Sequence, residues 1–172
     1  MSQLTMVRPE NKSTARAPVR PDPQSIVDRA AAMLARYSVD ALRISLGVVF
    51  LAFGFLKFFP GASPAEALVE RTIDTLTFGV VSGTTAVVLT AVMETTIGIT
   101  LITGRFLRTG LLILAGAMVG IMSPLVLFFS DMFPNGTPTI EAQYVFKDIV
   151  LAAAGLVVGA VALGARLVLR RP

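Results

Sequence analysis

The chain has 172 residues, 54% of them hydrophobic and 15% charged, with a formal net charge of +4. The absence of Cys excludes thiolate zinc sites, Cys-ligated iron–sulfur clusters, catalytic thiols and disulfides. The absence of His removes the usual haem and copper ligands and the commonest general base, so any redox chemistry needs an electron-carrying centre on a partner or a diffusible quinone.

The mean hydropathy is +0.75. A soluble domain of this size would carry about a quarter charged residues. The apolar surplus is gathered in blocks of about 20 residues, the length a helix needs to cross a bilayer. The pattern predicts an all-α membrane protein, an antiparallel four-transmembrane-helix bundle. An N-terminal amphipathic helix and a short interfacial helix between spans 1 and 2 complete it. The pI of about 10.1 does not indicate nucleic acid. The basic residues flank apolar spans, and no basic stripe is interleaved with aromatics.

Residues 1–24 read as a disordered basic cytoplasmic tail with four prolines, Pro9, Pro18, Pro21 and Pro23. Over residues 25–40, Ile26, Val27, Ala30, Met33, Leu34 and Tyr37 recur at helical spacing opposite Asp28, Arg29, Arg36 and Asp40. This predicts an amphipathic helix at the membrane surface leading into the first span. The transmembrane domain is expected over residues 41–165. Its first span covers about 41–59, where Pro60-Gly61 stops it. Ser63-Pro64-Ala65-Glu66 then supplies a helix-start signal, with Ser63 as cap and Pro64 as first helical residue. The interfacial helix that follows stacks Glu66, Glu70 and Asp74 on one face, read as solvated rather than as a cation site.

The second span, about 84–103, is rich in threonine and closes at Gly104 before the basic loop Arg105 to Arg108. The third, about 109–129, contains Pro124, which predicts a kink near its end. The fourth covers about 144–163, and residues 166–172 form a second basic tail with Arg166, Arg170 and Arg171. Gly116/Gly120 and Gly155/Gly159 are G-x-x-x-G pairs, which suit close packing within the bundle better than they indicate a homo-oligomer. The positive-inside rule places both termini in the cytoplasm, because one side holds Arg105, Arg108 and the terminal arginines while the other holds only Lys57, Arg71 and Lys147.

Glu94 stands near the middle of the second span, at or near mid-depth. An ionised acid there costs about 2.5–3.5 kcal/mol on insertion scales, so such residues usually have a partner or a task. Candidate partners are Lys57 near the outer end of the first span, Lys147 (followed by Asp148) in the fourth, and Arg43 at the inner end of the first. Glu94 is roughly 15 Å below the outer surface, a gap that a lysine stem covers in part. Thr90 and Gly98 flank it by one turn on the same face and would line any polar pocket. Two readings stand side by side: a tie between helices, or a site for a small molecule, a quinone or a proton.

The stretches Leu42–Gly61, Glu94–Arg105 and Gln143–Val158, with Arg43, Lys57, Glu94 and Lys147 in register, resemble the bacterial DoxX-like membrane proteins. The closest branch is the YkgB-type inner-membrane proteins linked to reactive-chlorine resistance. The resemblance implies a four-helix membrane bundle and marks those charged positions as family features. Some DoxX-like proteins are associated with thiosulfate:quinone oxidoreductase or other membrane oxidoreductase complexes. Cysteine-dependent sulfur chemistry does not carry over, since this chain has no Cys. The expected function is therefore an accessory inner-membrane subunit of an envelope redox or oxidative-stress system, without independent catalysis. Its pocket around Glu94 would suit a quinone, and its partners would be the lipid bilayer and a membrane oxidoreductase. A small proton-coupled carrier and a ligand-free scaffold are the alternatives.

Overall fold

The computed structural model describes residues 23–166. The basic tails expected over residues 1–24 and 166–172 fall almost wholly outside the described residues. Among the described residues there are helices and turns but no strand. Four helices are long and apolar enough to cross a membrane. The architecture is an all-α membrane bundle.

The helices in chain order are α1 (Pro23–Leu56), α2 (Glu66–Leu76), α3 (Gly83–Thr103) and α4 (Leu107–Met122). Two single-turn helices, α5 (Pro124–Leu127) and α6 (Phe129–Met132), and a short 3₁₀ turn at Pro134–Gly136 lead to α7 (Ile140–Ala162).

The chain divides into two compact units, residues 1–34 and 35–172. In the first, the described residues 24–34 form an amphipathic helical stretch whose apolar side chains Ile26, Val27, Met33 and Leu34 are exposed. Helix α1 takes in residues 25–40, expected as an amphipathic helix leading into the first span, and no Gly or Pro interrupts residues 24–46.

Within the second unit, α1 and α3 run antiparallel with their backbones nearly touching. A Cβ added to Gly47 would lie 3.0 Å from Gly98 O, and one on Gly98 would lie 2.6 Å from Leu51 N. A Cβ on Gly54 would lie 2.8 Å from both Glu94 Cβ and Thr95 N. Each step along α1 is therefore matched by one step back along α3. By that register Leu56, the last residue of α1, lies opposite Met93, roughly 15 Å short of the N-terminal end of α3, which is labelled the outer end after the expected topology, the opposite end being the inner one.

The first helix thus stops at the depth of Glu94 rather than at the outer surface. Its end tightens into i→i+3 bonds, Lys57 N to Gly54 O at 3.2 Å and Phe58 N to Phe55 O at 3.2 Å. The chain then turns at Gly61, which has φ of +76°. The outer part of α3 is covered by α2 instead. Helix α2 begins at Glu66, two residues later than the Ser63 cap predicts, and has no side-chain cap. The Glu66 carboxylate accepts the Gly61 N–H at 2.7 Å, stabilising the turn rather than closing a capping box.

Two apolar clusters fill the bundle. The inner one joins Leu46 and Phe50 of α1, Ile97 and Leu101 of α3, Leu114 and Met118 of α4, and Ala154 and Val158 of α7. The outer one joins Phe128, Met132, Ala142 and Val145, with Leu68 of α2 packed against them. Pro124 does more than kink the third span. The helix ends at Met122 and resumes as two single turns whose side chains close the outer cluster. On the outer surface Arg71 of α2 pairs with Asp131 of α6 at 2.7 Å and stacks 3.9 Å over the Phe128 ring.

The G-x-x-x-G pairs behave unequally. Gly155 packs on Leu114, whereas a Cβ on Gly116, Gly120 or Gly159 would meet nothing within 4 Å. Close approach belongs to Gly47, Gly54 and Gly98 where α1 crosses α3, and to Gly110 of α4, where a Cβ would collide with the Thr100 side chain of α3.

Gly98→Ala is therefore expected to cost about 1–3 kcal/mol, because a methyl must push two backbones apart. Gly116→Ala should stay within about 0.5 kcal/mol of wild type. Thermal or denaturant unfolding in mixed micelles measures both. Equal effects at the two positions would contradict the assigned crossing.

Candidate functional site

The inward stripe of α1 runs Leu46, Gly47, Phe50, Gly54 and Lys57, and that of α3 runs Ala86, Thr90, Glu94, Ile97, Gly98 and Leu101. Both follow helical periodicity, so Lys57 and Glu94 are delivered to the interface by the spacing that buries their apolar neighbours. The close crossing at Gly54 leaves them one side-chain length apart.

Lys57 Nζ donates to Glu94 Oε2 at 2.7 Å, and its remaining contact is with Phe53 O at 3.4 Å. The two residues are 5% and 6% exposed. At this burial the Coulomb attraction is only weakly screened, and each charge has lost most of its solvation. The pair holds while both members are present. Removing either one strands the other in an apolar bundle.

The neighbouring groups are placed unequally around this pair. Thr90 is buried one turn away, and its hydroxyl donates to Ala86 O at 2.9 Å. Thr95 Oγ1 is buried against Gly54 with no hydrogen-bond partner in the protein. The other described threonines in the central and inner part of α3 (Thr96, Thr100 and Thr103) bond back to their own helix, so Thr95 alone among them keeps a free hydroxyl beside Glu94. Asp148 of α7 is half-buried, one turn from the buried Val145.

Two sequence candidates go elsewhere. Lys147 is exposed, with Nζ 5.0 Å over the Tyr144 ring, because it lies off the face of α7 that carries Val145 and Asp148. Arg43 sits level with the inner end of α3. Its guanidinium donates to Leu101 O and to Ile102 O, the latter at 3.3 Å, and reaches Asp40 at 3.4 Å. It satisfies carbonyls that the end of α3 leaves unbonded and complements the negative pole of that helix. Of the three proposed partners of Glu94, only Lys57 engages it.

Sequence reasoning missed Gly47, Gly54 and Thr95. The signal for the glycines was present, since Gly47, Gly54 and Lys57 share one helical face with seven- and three-residue spacing. Among the described residues no group of three acidic, His or Cys side chains could hold a metal ion, and the Glu66/Glu70/Asp74 face gathers none.

A family model described as DoxX matches residues 38–130, more than half of the 172-residue chain. The matched stretch holds Arg43, Lys57, Thr90 and Glu94 and leaves out Lys147 and Asp148. No curated protein and no solved structure matches the chain.

Lys57→Ala and Glu94→Ala are each expected to cost about 3–5 kcal/mol, whereas Lys57→Met with Glu94→Leu should recover most of the loss. Asp131→Asn, which opens the exposed pair with Arg71, should cost about 1 kcal/mol or less. Equilibrium unfolding in micelles compares them. Additive losses in the double variant would show that the two charges do not act as a pair.

Proposed function

This chain belongs to the DoxX family, and on that premise we propose that it is an accessory integral subunit of an envelope redox or oxidative-stress system. The Lys57–Glu94 pair is its polar site for a quinone head group. The observation that carries this reading is a buried ammonium–carboxylate pair, 2.7 Å apart, in an otherwise apolar bundle. Intramembrane charges of this kind mark substrate and proton sites.

The donor chemistry fits a quinone carbonyl. Lys57 has three N–H donors, and two have acceptors, Glu94 and Phe53 O. Thr95 adds a hydroxyl without a partner on the same side of α3. A bound quinone would supply the electron acceptor, with electrons arriving from a partner oxidoreductase because this chain has no Cys or His to hold a metal centre. Lys57 would donate to the carbonyl oxygen and Glu94 would hold the neighbouring proton-exchangeable position.

In this reading the protein belongs to the YkgB-type branch and sits in the inner membrane with both termini cytoplasmic. Arg43, Arg105 and Arg108 mark the inner end. At the other end the only basic residues beyond the depth of Glu94, among the described residues, are Arg71 and Lys147.

A second reading, a small proton-coupled carrier, draws on the same buried Lys57–Glu94 pair. Proton flux into liposomes, compared between wild type and Glu94→Gln, separates it from the first.

Purification in mild detergent followed by solvent extraction is expected to yield bound quinone, with Lys57→Met lowering its occupancy about tenfold, the effect of losing roughly 1.4 kcal/mol of hydrogen bonding. Recovery of neither a quinone nor an oxidoreductase partner would overturn the redox reading.

A further inference from the structure

Helix α3 has 21 residues and is about 31 Å long, close to the thickness of a bilayer's hydrocarbon core. The chain leaves it at Gly104, in the left-handed conformation, and re-enters a helix at Leu107. This short connection is held firmly at the inner end of the span. The Gly104 N–H donates to Thr100 O at 3.0 Å, and the Arg105 N–H donates to Thr103 Oγ1 at 3.3 Å. Arg43 of α1 lies against Gly104, where a Cβ would come within 3.2 Å of its Nη1. The connection is therefore fixed at the level where hydrocarbon gives way to headgroups.

Its side chains suit that boundary. Phe106 is 79% exposed, and Arg105 and Arg108 on either side of it are exposed as well. Among the described residues neither guanidinium has an ion-pair or hydrogen-bond partner. Arg43 differs, being taken up by Leu101 O, Ile102 O and Asp40. A phenyl ring gains by leaving water, and two unpartnered guanidiniums gain by meeting anions. A surface that is apolar below and anionic above satisfies both at once. The ring enters the acyl boundary while the planar guanidiniums fork onto phosphate oxygens.

The charges of residues 35–166 are sorted to match. The inner end carries Arg36, Arg43, Arg105, Arg108 and Arg166 against Asp40 alone. Beyond the depth of Glu94 acids predominate, three of them (Glu66, Glu70 and Asp74) on α2. The outer end has an exposed ring of its own, Phe78, but no basic residue occurs between Arg71 and Arg105. Exposed aromatic and free arginines coincide at the inner connection.

We propose that the Gly104–Arg108 connection is a docking surface for anionic phospholipid headgroups, with Phe106 as its apolar anchor. Arg105 and Arg108 take the phosphate and its net charge, so anionic lipid collects beside the protein in the leaflet at this end. A zwitterionic headgroup gains less, because its own cation competes for the same phosphate. The surface lies roughly 15 Å along α3 from Glu94, and the inference does not rest on the Lys57–Glu94 pair being a site.

The chain has no Trp, so Phe106→Trp introduces a single fluorescent reporter. The full chain carrying it is reconstituted in phosphatidylcholine vesicles that contain either brominated phosphatidylglycerol or brominated phosphatidylcholine at one mole fraction. Quenching then gives the relative affinity of the two lipids for this position. A roughly tenfold preference for phosphatidylglycerol is expected at low salt, falling several-fold at about 0.5 M, where exposed charges are screened. Arg105→Gln with Arg108→Gln should abolish the preference, and Arg105→Lys with Arg108→Lys should keep most of it. A Phe78→Trp reporter at the outer end should show none. Equal quenching by the two lipids at Phe106→Trp overturns the proposal. So does a preference that survives loss of both arginines, or one equally strong at Phe78→Trp. Should the glutamine variant fail to fold by circular dichroism, the salt titration decides, and a preference unchanged at about 0.5 M overturns the proposal.

Discussion

An ammonium and a carboxylate 2.7 Å apart inside an apolar bundle constrain everything packed around them. Their attraction offsets the lost solvation only at short range, so the two helices that carry them cannot drift. That requirement is met by glycine. Gly54 admits Glu94 Cβ and the Thr95 backbone where any larger residue would collide, and Gly47 and Gly98 hold the same crossing a turn or two further in. The ion pair and the glycine seam are two sides of one constraint. Close backbones bring the charges together, and the charges penalise separation of the backbones.

The same crossing explains the shape of the outer half. Once Gly54 is opposite Glu94, α1 has no length left to reach the outer surface, and it ends within a turn of the pair. The space beside outer α3 is taken by α2, and that opposite α7 by the broken end of the third span. A short amphipathic helix and two single turns are a looser cover than a full span. The other end of the bundle is filled by the cluster of larger side chains, where Ile97 and Leu101 are fully buried.

Arg43 shows how the same kind of charge takes a different task from its level in the bundle. It lies on the same α1 as Lys57, but opposite the end of α3 rather than its middle. There the available acceptors are carbonyls that the terminating helix cannot bond itself, and a planar guanidinium reaches two of them. Lys57 meets a carboxylate instead, because the register of the two helices places Glu94 at its level. Charge type alone did not distinguish these outcomes.

Several features were legible in the residues themselves. Blocks of apolar residues of bilayer length, the turn at Pro60-Gly61, the αL cap at Gly104 and the anomaly of Glu94 follow from local chemistry, which acts over a few residues and is written in consecutive positions. The resemblance to DoxX-like proteins was carried by the same local stretches. The choice of Lys57 over Lys147 and Arg43, the early end of α1, and the open faces at Gly116 and Gly120 were decided only in three dimensions. Each depends on which residue of one helix lies level with which residue of another. Helix periodicity names the face a residue occupies, but not the register between helices. That register was set here by where three glycines let two backbones meet.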